Sequence, residues 1–126
     1  MSKIARYLVL LVCLCSFNTL AHFQGPMKVK KIVYSENTSI DITVGNDSSF
    51  DQYFQIYVDG VVSGDKFLIR SSKQKVKSII FPVERDRKET FEVCSVSLPT
   101  SKVKIRTRIC TSVKLLYPYS RLQLQN

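Results

Sequence analysis

Through most of this chain apolar and polar residues alternate with period two, a rhythm that suits strands and excludes a bundle of helices. In Ser39-Ile-Asp-Ile-Thr-Val44, Ile40, Ile42 and Val44 fall on one face. In Tyr53-Phe-Gln-Ile-Tyr-Val58, Phe54, Ile56 and Val58 share a face and Tyr53 and Tyr57 take the other. Residues 29–34 alternate too, with Val29, Lys31 and Val33 opposite Lys30, Ile32 and Tyr34. Further runs cover 67–69, 76–81, 90–98 and 102–117. Turn-forming residues separate them: Glu36-Asn37, Gly45-Asn-Asp-Ser-Ser49, Asp59-Gly60, Ser63-Gly-Asp65, Ser71-Ser72 and Pro99-Thr-Ser101. No segment keeps an apolar spacing of three and four, so no long helix is expected. The pattern predicts an all-β domain, a seven-stranded immunoglobulin-like sandwich, with a closed barrel as the alternative.

Residues 1–21 read differently. Lys3 and Arg6 precede a short apolar core, and Thr19-Leu20-Ala21 supplies small residues where a signal peptidase cuts. The expectation is an exported protein cleaved after Ala21, with residues 22–126 as one domain; a retained anchor is the alternative. Removing 21 of the 126 residues leaves 105, and the loss of Lys3 and Arg6 turns a net charge of +9 into +7. That surplus calls for an acidic partner. Of the four cysteines, Cys13 and Cys15 leave with the leader, so Cys94 and Cys110 remain. In an oxidising compartment two such residues are expected to pair, the alternative being two buried thiols. Opposite each other in a hairpin, they would place its centre at Lys102. The antibody-type bridge joins two sheets and packs on a Trp; this chain has no Trp and its two cysteines are too close in sequence.

Several functions are disfavoured at this level. The chain has one His, so a His-containing triad would have to use His22, and a multi-His metal site is impossible. An N-terminal His can hold copper, but only with a second His. No glycine-rich phosphate loop is present, and the basic residues are spread along strands without a nucleic-acid motif. The expectation is a non-enzyme with no cofactor, no metal and no nucleic-acid partner. Asn37-Thr-Ser39 and Asn46-Asp-Ser48 fit the N-glycosylation pattern, which in a eukaryotic route would suit a secreted immunoglobulin-like binding or structural domain.

Three segments, in order, resemble the N-terminal domain of the periplasmic pilus-assembly chaperones of the chaperone–usher pathway. The first joins Lys31-Ile-Val-Tyr34, Ser39 to Asn46 and Tyr53 to Asp59. The second is Phe81-Pro-Val-Glu-Arg-Asp-Arg-Lys-Glu-Thr-Phe91, running on to Val96-Ser-Leu-Pro99. The third, Ile105 to Pro118 with Val113-Lys-Leu-Leu-Tyr-Pro118 at its end, is similar to the family's most specific signature. One subgroup of the family also carries a Cys on each of its last two strands, where Cys94 and Cys110 stand. This chain departs from the family by having Lys31 for its first-strand Arg, by lacking the Arg before Pro118, and by stopping eight residues after Pro118, where family members continue into a second domain.

The resemblance implies a function. Pilus subunits lack one strand, and the chaperone lends its own last strand to complete them. Here the lent face would be Val103, Ile105, Thr107, Ile109 and Val113, on an edge strand spanning 103–113. Two cations anchor the subunit's terminal carboxylate in that family; by position they are Lys31 and Lys114. The implied partners are a pilus or fimbrial subunit and the outer-membrane usher, in the periplasm. An exposed last strand also allows a homodimer.

Overall fold

The structure, a computed structural model, describes residues 3–14, 22–102 and 104–124. The apolar N-terminal stretch forms α1 (Lys3–Leu14). The expected cleavage site at 19–21 lies outside the described residues. Among the described residues no helix is long and apolar enough to cross a membrane.

Among the described residues eight strands follow: β1 (His22–Gly25), β2 (Lys28–Ile32), β3 (Asn37–Asn46), β4 (Gln52–Val58), β5 (Val61–Ile69), β6 (Lys73–Pro82), β7 (Lys88–Ser97) and β8 (Arg108–Leu116), then a short helix α2 (Tyr119–Gln123). They form two sheets, β1-β3-β6 and β2-β8-β7-β4-β5, so the chain is a sandwich and not a barrel. The count exceeds the predicted seven because the first strand is two. The chain pairs with β3 as β1, turns at the cis Gly25–Pro26 bond, and crosses to the other sheet as β2. β1 carries no apolar alternation, because the side chains it turns inward are His22 and Gln24. Its Phe23 lies over Gly45, where a Cβ would meet the ring at 1.8 Å, so any side chain there would push the ring aside.

Elsewhere the alternation describes the core. Ile40, Ile42 and Val44 of β3 and Phe54 and Ile56 of β4 meet Phe67, Ile69, Phe81, Val93, Val113 and Leu115 between the sheets. The Asp59-Gly60 turn has positive φ at both residues (49° and 82°), the requirement of a two-residue hairpin between β4 and β5. β5 starts at Val61, earlier than predicted, and runs through Ser63-Gly64-Asp65; Gly64 takes φ 73° opposite a register shift in β4.

The last hairpin has the predicted register: Cys94 pairs with Cys110, bridged at an S–S distance of 2.07 Å. Its second strand is shorter than predicted. β8 begins at Arg108, whereas the alternation in sequence starts near Lys102. The same register would set Ile105 opposite Pro99, which has no N–H for a ladder.

Candidate functional site

Two features of the five-stranded sheet bear on binding: the two sides of β8, and the groove beside its C-terminal half.

β8 is bordered by β7 on one side along its whole length. On its other side β2 runs parallel to Ser112–Leu116, in the register Lys28↔Ser112 to Ile32↔Leu116. Among the described residues, 108–111 therefore have a strand on one side and none on the other, while 112–116 are enclosed. This corrects the expectation of an edge strand over 103–113. Val113 is 0% exposed, pairs with Val29 and Phe91, and belongs to this chain's own core, so its side chain is unavailable to a partner. Val103 lies outside the described residues. Ile105 precedes the strand and is 65% exposed. Ile109, on β8, is half-buried.

Thr107, the polar interruption in that apolar row, is explained by what it touches. Its backbone N–H donates to Ser97 Oγ at 2.8 Å, its carbonyl accepts from Ser97 N at 2.9 Å, and its Oγ1 lies 2.9 Å from His22 Nδ1. His22 Nε2 is 2.8 Å from Ser95 Oγ. Gln24 continues the seam: its Nε2 donates to Val93 O at 3.0 Å and to Thr111 Oγ1 at 2.6 Å, and its Oε1 accepts from Ser95 N at 3.0 Å and from Ser95 Oγ. Thr111 Oγ1 in turn donates to Pro26 O at 2.6 Å. Where β1 crosses β7 and β8, hydrogen bonds between side chains join the two sheets.

The neighbours of the His22 ring are two hydroxyls and Phe54, whose ring centroid is 4.8 Å away. Burial among them lowers its pKa from 6.5 to about 4. A His that resists protonation when folded binds fewer protons than the unfolded chain between these two values. Its neutral form stabilises the fold above pH 6.5, and that contribution is lost as pH falls from 6.5 towards 4. Because the ring is partly solvated, about 1–2 kcal/mol is expected where the full shift would give about 3. Urea unfolding of the wild type should show a midpoint falling over this range, and His22→Gln should flatten that part of the profile.

The groove lies against β2, β8 and β7, has a volume of about 630 Å3, and is lined by Lys30, Lys31, Lys88, Lys114, Ile32 and Leu116 among others. The two predicted anchors, Lys31 and Lys114, do come to one groove. The register gives them different neighbours: Lys31 pairs with Leu115, while Lys30 pairs with Lys114. Successive side chains of a strand face opposite ways, so Lys30 and Lys114 share a face and Lys31 is on the other. Lys88 stands across from Leu116, one two-residue step beyond Lys114. Lys30 and Lys88 were missed in sequence, where Lys30 is one of a run and Lys88 lies in a charged turn. Among the described residues the ion pairs are Arg85–Glu36, Arg87–Glu84 and Arg108–Glu92, and none neutralises a lysine of the groove. Glu89 also lines it, paired with Leu115 and so, like Lys31, on the face away from Lys114.

No protein-family model and no curated protein sequence matches the chain. Its fold does match solved structures. The periplasmic chaperone SfaE aligns with a TM-score of 0.62 at 12% identity, over 78% of this chain and 58% of that one. The E. coli chaperone DraB aligns at 0.60 and 18% identity, over 79% and 56%. A chain of the CsuC–CsuE chaperone–tip adhesion subunit pre-assembly complex, from the archaic chaperone–usher Csu pili of Acinetobacter baumannii, aligns at 0.56 and 14%, over 78% and 57%. The architecture is thus that of the immunoglobulin-like periplasmic chaperones, and the chain spans a little over half the length of the chaperones it matches.

Proposed function

We propose that this chain is a non-enzymatic, exported chaperone for pilus or fimbrial subunits, acting in the periplasm by lending the start of its last strand. The observation that carries the reading is the open side of β8 at residues 108–111, set directly before the stretch that β2 encloses. An incoming subunit strand has free backbone groups to pair with there, and β2 marks where it must stop. The lent segment is shorter than the sequence suggested. Ile105 and Ile109 offer its apolar side chains, with Thr107 between them tied to this domain. At the stopping point the strand's terminal carboxylate meets the groove, where Lys114, flanked by Lys30 on the same face, holds it, while Lys31, the other predicted anchor, projects from the opposite face. Charge-assisted hydrogen bonds from ammonium groups are stronger than neutral ones, although these lysines lack the fork of Arg. Without a subunit, the same open side serves to pair two copies of the chain. The usher is the further partner that this role implies.

Co-expression with a fimbrial subunit encoded beside it tests the reading. The wild type should raise the soluble yield of the subunit and co-purify with it. Lys114→Ala should weaken capture about tenfold, the scale of one partly desolvated charged hydrogen bond. Ile109→Asp should abolish it by placing a charge in the subunit's apolar groove. A subunit whose solubility ignores the wild-type protein would leave the plainer reading, a secreted immunoglobulin-like binding domain.

A further inference from the structure

We infer that β6 is a second docking edge, in the sheet that does not contain β8, and that it takes an acidic extended segment of a partner protein by strand pairing. The inference does not depend on what β8 lends.

The edge is the first ground. β6 pairs with β3 along all ten of its residues, and among the described residues no strand lies on its other side. The backbone groups on that side are free to pair with an added strand. No proline interrupts β6 before Pro82, so the ladder has donors along its length.

Charge is the second ground. Residues 66–83 hold Lys66, Arg70, Lys73, Lys75 and Lys77 and no Asp or Glu. The register with β3 sorts the last three. Lys73, Lys75 and Lys77 pair with Asn46, Val44 and Ile42, which are fully buried, so the three lysines share the face turned toward the other sheet. They stand at the rim of the core: Lys73 and Lys75 are exposed, and the Lys77 ammonium lies 4.2 Å from the centre of the Phe67 ring. Successive lysines are about 6.7 Å apart, the two-residue repeat of a strand. Among the described residues no ion pair involves any of them. On the opposite face of β6, Val76 and Ile80 are 59% and 72% exposed. A strand laid along β6 repeats its side chains at the same interval. Acids at alternate positions then meet the lysine row, and the residues between them meet the face of Val76 and Ile80.

The same row decides against other occupants. Two copies of β6 paired antiparallel about Lys75 would set lysine against lysine at 73, 75 and 77, which is destabilising. A phosphate polymer or an anionic bilayer meets the charge but makes no use of the ladder or of the two-residue alternation.

A short labelled peptide with Glu at three alternate positions and Val or Thr between them is the probe. Its binding to the full-length protein is followed by fluorescence anisotropy at low ionic strength. Replacing the three Glu by Gln should weaken binding at least tenfold. Lys75→Ala should weaken it roughly two- to fivefold, the scale of one exposed opposite-charge pair. Lys104→Ala, which removes an exposed cation outside β6, should leave it within about twofold. Methylating alternate backbone nitrogens along one edge of the peptide, and in a second peptide along the other edge, should abolish binding in one of the two, because only one edge faces β6. Four results each overturn the inference: no binding by the Glu peptide, both methylated peptides binding like the parent, equal losses for Lys104→Ala and Lys75→Ala, or inorganic polyphosphate of matched charge competing on equal terms.

Discussion

Replacing both Cys94 and Cys110 by Ala should lower the stability of the domain by about 3 kcal/mol, and its melting temperature by roughly 12–20 °C. The bridge spans a sequence separation of 16, so it closes a loop of moderate length in the unfolded chain. Chain entropy sets the scale of the loss, because without the bridge the unfolded state regains the conformations that loop closure forbids. Position adds to it. The bridge pins β8 to β7 within the stretch with a strand on one side only, where the ladder has least support. Arg108 contributes little in its place: its 3.0 Å contact with Glu92 is an exposed pair. Thermal melts with and without reductant provide the check. Reduced wild type should melt with the double variant, and a melting temperature indifferent to reduction would refute the role assigned to the bridge.

Gln24→Ala should cost about 2–4 kcal/mol, a large loss for a polar residue. The side chain is 5% exposed and makes four hydrogen bonds across the sandwich. Truncation leaves the Ser95 N–H and the Val93 carbonyl facing a cavity in which Thr111 also loses a donor. The penalty for such orphaned buried groups exceeds the value of the bonds themselves. Gln55 is the control: it makes one bond, to Gly64 O at 2.9 Å, in an exposed setting. Gln55→Ala should cost less than about 1 kcal/mol. Urea midpoints of the two variants decide the matter, and a Gln24 variant no weaker than the Gln55 variant would show that the seam carries no net stability.

What the sequence disclosed follows from how far apart the interacting residues are. Ile40, Ile42 and Val44 could be assigned to the core because one burial requirement repeats along one strand. The Cys94–Cys110 register was readable because two cysteines that pair within one hairpin stand opposite each other and so set its centre. β1 was not readable: its inward residues, His22 and Gln24, are polar and find partners 69 to 87 positions away. The open side of β8 was misplaced for a related reason. Whether Val113 is lent or kept depends on where β2 lies, and a parallel pairing between the two ends of the domain has no local signature. The resemblance named Lys31 and Lys114, which line one groove, but only the register puts Lys30 beside Lys114.

That parallel pairing also has a mechanical consequence. β2 lies near the start of the domain and β8 near its end, side by side and pointing the same way. A pull between Lys28 and Leu116 drags the two strands past each other along their length. Their hydrogen bonds are then loaded together in shear, and cannot be opened one at a time as in an antiparallel pair pulled from its open end. Under tension transmitted through both ends, the domain resists as a clamp, and the element under load is the one that borders the open side of β8 and the lysine groove.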